Sequence, residues 1–328
     1  MSATLILVIA LALLYAFING LNDSSSIVAT MISSRALSAR SARLMTAVAE
    51  FLGPLVVGTA VARTIGNVVV NPASISTHVI LAAILAAILW NLFTSFLGLP
   101  SSSSHALVGG LVGAVVLAAG THAIQVAALV KILLSLFLSP VIGFGIGFLV
   151  LRVIMVLSWE ATPGINMLFK RGQILTVIAL GLSHSSNDAP KTMGVITLAL
   201  MTEKYISSFA VPTWVILISA LAISAGTAVG RKRLVRTVGG GFYKIEPVDA
   251  FCSQLSSAIV IVTSSLLGGP VSATHVLSST IMGVGAAERP NKVRWNLVQE
   301  IAMAWLLTIP LAALLAAGLY RLINPLFH

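Results

Sequence analysis

The sequence predicts an all-α polytopic membrane protein, and its composition and hydrophobic pattern are the observations behind this prediction. Of the 328 residues, 58% are hydrophobic and only 9% are charged, too few charges to cover a soluble domain. Continuous apolar stretches recur from Leu5 to Ile323, and a bilayer needs about 20 mostly apolar residues for each crossing helix. Barrel strands are shorter and alternate apolar with polar residues, so helices are expected throughout.

Ten membrane-crossing units are expected, five on each side of a polar connection at residues 158–172. The first and sixth units are expected to be broken near residues 19–26 and 184–191, where polar residues interrupt the apolar pattern. The first five units are predicted at residues 3–33, 44–62, 78–97, 102–119 and 123–151. The second five are predicted at residues 173–202, 209–229, 250–267, 271–287 and 295–323.

Two motifs recur in the same order in both halves of the chain. Asn22-Asp23 matches Asn187-Asp188 at an offset of 187 − 22 = 165 residues. The segment that ends at His105 matches the segment that ends at His275 at an offset of 275 − 105 = 170 residues. Internal repeats of this kind are typical of secondary transporter folds. We therefore predict one repeat over residues 1–157, a linker over 158–172 and a second repeat over 173–328.

The loop charges predict that the two repeats have opposite orientations. Lys and Arg favour the cytoplasmic ends of membrane helices, and five crossings place corresponding loops on opposite faces. The loop at residues 35–43 carries three arginines, whereas its counterpart after residue 202 carries only Glu203 and Lys204. Arg63 stands alone in the next loop, whereas its counterpart at residues 230–247 is strongly basic. Both termini are therefore expected outside and the linker in the cytoplasm.

The net charge of +10 does not indicate a nucleic-acid partner, because the basic residues lie in short gaps between apolar stretches. The chain contains a single cysteine, Cys252, which excludes an internal disulfide and a cysteine-based metal site. The residues after Met1 lack the basic segment of a signal peptide. The first apolar stretch is therefore expected to be a retained helix.

The repeated Asn-Asp pairs are the first candidate site, since they lie at the centres of their units. A polar or charged group in hydrocarbon costs about 2.5–3.5 kcal/mol on insertion scales, and interrupted helices in transporters line binding cavities. Asn22 and Asn187 are candidate substrate ligands, and Asp23 and Asp188 are candidate ligands for a coupling cation such as Na⁺ or a proton. Capping of half-helices is the alternative role for these residues.

Other polar residues within the predicted units differ in their position along the helix. Glu50 and Gln254 lie within their predicted units and are added to the candidate cation-coupling residues. Lys131 and Glu300 lie nearer to the ends of their helices, where snorkelling or helix contacts explain a charge. These two residues are therefore left out of the predicted site.

Runs of hydroxyl residues form a second, symmetric candidate site. Each run precedes a helix, and the free N–H groups and dipole of a helix N-terminus favour an oxyanion. Capping and close helix packing are the alternative roles. His105 and His275, at the ends of the runs, are either proton carriers or buried structural histidines. The candidate anion ligands in these runs are Ser101, Ser102, Ser103, Ser104, Ser272 and Thr274.

Lys191 breaks the symmetry between the two repeats. Its counterpart at 191 − 165 = 26 is Ser26, so only the second repeat carries a buried ammonium near its Asn-Asp pair. A charge this deep needs a partner, and Asp188, Asp23 and the transported anion are the candidates. Lys191 is expected either to stand in for one bound cation or to form a structural ion pair with Asp188.

Hydrolase and nucleotidase activities are not indicated by these residues. The Ser, His and Asp residues are duplicated symmetrically, and neither a Gly-x-Ser-x-Gly elbow nor a phosphate-binding loop is present in the sequence. No catalytic residue and no cofactor are therefore predicted beyond the coupling ion.

The motifs resemble those of the inorganic phosphate transporter family. Its Gly-x-Asn-Asp signature is similar to residues 20–23 and 184–194, and its Leu-Pro-Val-Ser-Thr-Thr-His segment is similar to residues 99–105 and 269–275. Its basic loop ending in Asp-Pro resembles residues 231–247. The resemblance covers nearly the whole chain. It implies symport of inorganic phosphate with Na⁺ or H⁺, with the cation near the Asn-Asp pairs and the anion near the hydroxyl runs.

Two departures from the family pattern leave the coupling ion open. Residues 24–30 lack the usual Val-Ala-Asn-Ala continuation, and Ala189-Pro190-Lys191 replaces it in the second repeat. A sulfate permease of the same family and an anion channel are the alternative functions. Phosphate still carries a proton at neutral pH and can donate to a carboxylate, whereas sulfate only accepts, so nearby acidic residues favour phosphate. The expected setting is the cell (inner) membrane, with membrane lipid around the protein and a homodimer as an open option.

Overall fold

The computed structural model describes residues 2–34, 36–68, 75–97, 101–162, 164–230 and 245–327. Every regular element in these residues is a helix, so the predicted all-α polytopic fold is confirmed. Short 3₁₀ turns at Thr121–Ala123, Pro290–Lys292 and Asn324–Phe327 complete the elements. The α-helices are α1 Ala3–Ser33, α2 Ala39–Val56, α3 Ala60–Gly66, α4 Thr77–Leu97, α5 Ser103–Ala119, α6 Val126–Leu157, α7 Ile165–Thr202, α8 Thr213–Val229, α9 Pro247–Leu266, α10 Ala273–Glu288 and α11 Trp295–Ile323.

The helices differ in whether they are long enough to cross a bilayer. Within the described residues, six helices are long and apolar enough, and a seventh span results if α2 and α3 are taken together. The helices α5, α8 and α10 have only 17, 17 and 16 residues, which is short of the roughly 20 residues of a full crossing. Three of the ten predicted units are therefore short helices.

The unit predicted at residues 44–62 is a bent pair of helices. The chain bends by 75° between α2 and α3. Pro54, which lies in the last turn of α2, cannot donate a backbone hydrogen bond. Gly58, in the connection, has a φ of +106°, a conformation that favours glycine.

The predicted breaks near residues 19–26 and 184–191 are also wrong, because α1 and α7 run continuously through both segments. Their hydroxyl groups bond to carbonyls of the preceding turn and do not unwind the helix. Ser183 donates to Ala179 O at 2.7 Å, and Ser186 donates to Ser183 O at 2.7 Å. The described residues just before α5 and α10, 101–102 and 267–272, are non-helical instead.

The two halves of the chain interleave through reciprocal helix pairs. Helix α1 packs on α8, and α7 packs on α2. Helix α5 packs on α11, and α10 packs on α6. A Cβ atom on Gly20 would lie 2.0 Å from Ile223 O, and one on Gly283 would lie 2.1 Å from Phe144 O, so glycines let the backbones touch. These reciprocal helix pairs are compatible with two related halves. The inverted repeat and its boundaries stay predictions. Helix α7 begins inside the predicted linker.

Polar contacts define two opposite ends of the helical bundle. At the first end, Ser2 and Thr77 donate to Glu203 Oε1 at 2.9 and 2.8 Å. At the second end, Arg43 donates to Val229 O at 3.0 Å and Gln173 donates to Pro247 O at 3.1 Å. The described segments that meet at the second end contain Arg40, Arg43, Lys170, Arg171, Arg289, Lys292 and Arg294. Arg35 and the basic segment 231–244 lie outside the described residues. The orientation expected from the loop charges stays a prediction.

Candidate functional site

A buried cluster of charged side chains lies where α1, α2 and α7 meet. The imidazole of His184 is at its centre, with Nδ1 2.7 Å from Glu50 Oε1. Its Nε2 atom lies 3.5 Å from Asp23 Oδ2 and 3.6 Å from Asp188 Oδ2. The His184 and Glu50 side chains are fully buried, and those of Asp23 and Asp188 are nearly so. The contact between His184 and Asp188 follows from their i, i+4 spacing on α7.

The ammonium group of Lys191 has three acceptors. Its Nζ atom lies 2.5 Å from Asp188 Oδ1, 2.5 Å from Ser104 Oγ and 2.8 Å from Val271 O. An ammonium carries three donors, so all of them are used. Lys191 thereby connects the carboxylate of α7 to the start of α5 and to the segment before α10.

The N-termini of the two short helices α5 and α10 meet this cluster. Ser104 and Thr274 are each the second residue of their helix. Thr274 Oγ1 donates to Asp23 Oδ1 at 2.8 Å, while Ser104 contacts Lys191. Helix N-termini carry free N–H groups and a partial positive charge. The site therefore combines two anion-favouring helix ends with a group of carboxylates.

With its three carboxylates ionised, the cluster has an excess of negative charge. Asp23, Glu50 and Asp188 contribute three carboxylates, against one ammonium and one imidazole. Even with a protonated His184, these side chains sum to −3 + 2 = −1. Buried charge that is not neutralised is costly, so the arrangement is suited to binding one further cation or proton.

The space beside Asp23 is small in this conformation. A cavity of about 10 Å³, lined in part by Asp23, His184 and Thr274, lies next to the cluster. Such a volume corresponds to about one water molecule. One ligand atom each from Asp23, His184 and Asp188 lie within 4.8 Å of one another, a spacing compatible with a bound cation. An oxyanion with four oxygens would require the surrounding helices to move apart.

The chain matches the model of the Phosphate transporter family over residues 19–316. A probable low-affinity inorganic phosphate transporter of Bacillus subtilis is 40% identical, covering 98% of this chain and 98% of that protein. A protein of the same description from Rhizobium meliloti is 40% identical over 95% of this chain and 94% of its own length. This chain belongs to the phosphate transporter family.

A solved structure agrees with this family assignment at the level of the fold. It is titled "The sodium-dependent phosphate transporter" and matches with a TM-score of 0.90, covering 99% of this chain and 100% of its own. Its sequence identity is 24%, so the match concerns the fold and not the choice of ion. The relatives are named as transporters, not as enzymes.

Among the candidate residues of this family member, the structure brings six together. Asp23, Glu50, Asp188 and Lys191 form the charged cluster, and Ser104 and Thr274 contact it. Their functional roles stay predictions.

The two motif asparagines have structural partners. Asn187 donates to Ser265 Oγ at 3.0 Å and to Gly269 O at 3.1 Å, and accepts from Val271 N at 3.0 Å. Both amide donors of Asn187 are thus used, and its side chain fixes the segment before α10. Asn22 accepts from Ser95 Oγ at 3.1 Å, so it faces α4 and not the cluster.

The other hydroxyl residues of the two runs cap or brace helices. Ser102 and Ser272 are the N-caps of α5 and α10, each accepting from the N–H of the histidine three residues later. Ser101 accepts from Trp90 Nε1 at 3.2 Å, and the carbonyl of Ser103 accepts from Tyr15 Oη at 2.9 Å. The capping role that the sequence left open is therefore present at both helices.

The remaining candidates lie beside the cluster. Gln254 accepts from Thr176 Oγ1 at 2.5 Å and donates to Thr30 Oγ1 at 2.8 Å. Thr30 is seven residues beyond Asp23 on α1, about 10 Å along the helix axis. The rings of His105 and His275 have centroids 4.8 Å apart, and His275 stacks on Trp305 at 3.8 Å. Gln254 and the two histidines therefore brace helices next to the site.

His184 is the central residue that the sequence analysis did not select. It lies in the quoted motif segment 184–194, and its i, i+4 spacing to Asp188 was the available signal. Its short contact to Glu50 joins residues 134 positions apart, and no local pattern in the sequence indicates that pairing.

Proposed function

We propose that this protein is a secondary active symporter of inorganic phosphate that uses Na⁺ or H⁺ as the coupling ion. The observation that carries the proposal is the buried cluster of Asp23, Glu50, His184, Asp188 and Lys191 at the N-termini of two short helices. The names of the relatives support phosphate as the substrate.

The two parts of the site have complementary charges. The N–H groups of α5 and α10, with Ser104 and Thr274, would bind phosphate oxygens by neutral donors, which hold an anion reversibly. The carboxylates of Asp23 and Glu50 would repel a bare anion, and a bound cation or proton removes that repulsion. Each ligand therefore improves the site for the other, as symport requires.

Lys191 would replace one of the cations that such a site needs. Its ammonium lies between Asp188 and Ser104, whereas Asp23 contacts Thr274 directly. A fixed ammonium neutralises Asp188 without an external ion. We therefore expect the mobile cation or proton at Asp23, with His184 and Glu50 as the neighbouring proton acceptors.

The proposal is tested by uptake of labelled phosphate into proteoliposomes of the purified protein. Accumulation should require an imposed Na⁺ or proton gradient, and the gradient that supports it identifies the coupling ion. Sulfate in tenfold excess should compete weakly, because it has no proton to donate to Asp23 or Glu50. Strong inhibition by sulfate together with sulfate accumulation would establish the sulfate permease instead.

Counterflow separates a carrier from an anion channel. Vesicles preloaded with phosphate should take up labelled phosphate faster than empty vesicles, because a carrier exchanges substrate through one site. Equal rates in both would support a channel.

The orientation and setting of the protein are also part of the proposal. We infer that it lies in the cell membrane among lipids, with both termini outside, because the basic segments meet at the second end of the bundle. Single engineered cysteines at Ser2 and Lys170 test this orientation. An impermeant thiol label added to intact cells should react at position 2 and not at position 170. Cross-linking in native membranes tests the homodimer.

A further inference from the structure

A large cavity with two cationic side chains lies at the first end of the bundle, away from the charged cluster. Its volume is about 550 Å³, and it is bordered by α3, by the start of α6 and by the end of α9. Two cationic side chains, Arg63 and Lys131, line it together with Thr64, Asn67 and Gln125. No described lining residue is acidic, so the cavity is net positive.

One short segment separates this cavity from the charged cluster. On the cavity side, Lys131 Nζ donates to Leu267 O at 2.9 Å and Thr64 Oγ1 donates to Gly268 O at 2.6 Å. On the cluster side, the carbonyls of Gly269 and Val271 accept from Asn187 and Lys191 at 3.1 and 2.8 Å. Residues 267–271 therefore form a partition between the cavity and the charged cluster. Side chains that line the cavity bond to one face of this segment, and side chains on α7 bond to the other.

An apolar groove continues from the cavity between α6 and α9. It has a volume of about 500 Å³ and shares Ala127, Lys131 and Leu267 with the cavity. Its other lining residues include Leu134, Leu138 and Ile259. A positive cavity joined to an apolar groove matches a phosphate group, either free or attached to an acyl chain.

We propose that the cavity lined by Arg63 and Lys131 is a second phosphate-group site, separate from the charged cluster. The guanidinium of Arg63 has no carboxylate partner among the described side chains, and guanidinium and ammonium groups are the usual phosphate ligands. The phosphate group comes from free inorganic phosphate on its way to the cluster or from the headgroup of an anionic lipid. The first source rests on the proposed transport function; the second does not.

The first arm of the test uses vesicles of phosphatidylcholine alone, which offer no anionic lipid. If free phosphate binds, Arg63→Gln with Lys131→Gln should raise the KM for phosphate uptake about tenfold at low salt with little change in kcat. The increase should shrink at high ionic strength, because salt screens the exposed charges. The single variant Lys131→Arg, which keeps the positive charge and leaves Arg63 unchanged, should keep the low KM for phosphate of the wild type.

The second arm measures thermal unfolding in detergent while phosphatidylglycerol is added. If the headgroup binds, phosphatidylglycerol should raise the Tm of the wild-type protein, and the double variant should lose this shift. Arg152→Gln is the matched control, because Arg152 lies on α6 like Lys131 but over the Phe148 ring at 5.4 Å, outside the cavity.

The outcomes separate this site from the proposed function. If the wild type transports phosphate and the double variant matches it in both arms, the second site is refuted and the transport function stands. If the wild type fails to transport phosphate while the lipid shift depends on Arg63 and Lys131, the second site stands with a lipid headgroup as its ligand. Equal loss in the Arg152→Gln control would also refute the site, since the effect would then be one of general charge.

Discussion

The two aspartates of the repeated motif reach the centre of the molecule in the same way but meet different partners. Asp23 accepts directly from Thr274, the second residue of α10. Asp188 is joined to Ser104, the second residue of α5, only through the ammonium of Lys191. The small cavity of about 10 Å³ lies against Asp23 and Thr274 and is not lined by Asp188.

Under the proposed symport, the two halves of the site would bind cations differently. At Asp188 the positive charge is covalent and permanent. At Asp23 there is space and unneutralised charge, which suits an ion that binds and leaves in each cycle. A symmetric site would bind two external cations, so the lysine is expected to lower the number of ions moved with each phosphate.

Neutralising each aspartate in turn should give the largest difference between the two halves of the site. Asp23→Asn removes the charge that the mobile cation needs. Gradient-driven accumulation of phosphate should therefore fall to the level of vesicles without protein, while counterflow persists. Asp188→Asn instead leaves Lys191 buried without its carboxylate and should destabilise the protein by about 3–5 kcal/mol. Uptake and thermal unfolding are measured on both variants. Full cation-dependent accumulation in both would show that neither carboxylate couples a cation to transport.

Removing the lysine should make the two halves more alike. Lys191→Met keeps the length of the side chain and removes the ammonium partner of Asp188, which costs about 3–5 kcal/mol without added cation. If Lys191 stands in for a cation, Na⁺ or lower pH should recover the lost stability, because the ion binds only the folded state. Transport should also become more dependent on the cation.

Lys170→Met, a change in a lysine of α7 outside the cluster, is the control for the loss of a positive charge. A destabilised Lys191→Met variant that no cation rescues would identify a purely structural ion pair. A Lys191→Met variant with unchanged stability and transport would show that the three hydrogen bonds of the buried ammonium contribute to neither.

The helical fold and most members of the cluster were predictable from the sequence, for identifiable reasons. Hydropathy defines membrane helices because lipid penalises every exposed polar group. The same penalty marks Asp23, Glu50, Asp188 and Lys191 as unusual, whatever the fold.

The parts that were not predictable depend on contacts between distant segments. The sequence could not show that α1 and α7 stay helical, because this depends on hydroxyl groups bonding to the preceding turn, as Ser183 and Ser186 do. The pairing of His184 with Glu50 depends on how α7 crosses α2. Close approach of those helices needs Gly53, whose Cβ would lie 2.1 Å from Ser185 Oγ.

Replacing the two asparagines of the motif should give a difference in stability of intermediate size. Asn187→Ala removes three hydrogen bonds and leaves the buried N–H of Val271, in the partition segment, without its acceptor, at a cost of roughly 3 kcal/mol. Asn22→Ala removes one bond to Ser95 at a half-buried position, and should cost about 1 kcal/mol. Thermal unfolding compares the two. Equal losses would show that Asn187 does not hold the segment before α10.

The smallest expected difference lies between the hydroxyl groups at the two helix N-termini. Ser104→Ala and Thr274→Val each remove a donor from the proposed phosphate site, so both should raise the KM for phosphate. A hydrogen bond to a charged group contributes about 1.5–3 kcal/mol, and 1.4 kcal/mol corresponds to tenfold in affinity. Thr94→Val is the control, because its hydroxyl donates to Trp90 O within α4.

The two variants should differ in how the rate depends on the coupling ion. Thr274 is bonded to Asp23, where the mobile cation is expected, so Thr274→Val should also change the concentration of Na⁺ or H⁺ that gives half-maximal uptake. Ser104 contacts an ammonium that stays in place, held by Asp188 and Val271 O, so Ser104→Ala should leave that concentration unchanged. Initial rates measured over a grid of phosphate and cation concentrations give both quantities for each variant. If Ser104→Ala shifted the cation dependence as much as Thr274→Val, the two halves would bind cations alike and the asymmetry assigned to Lys191 would be wrong.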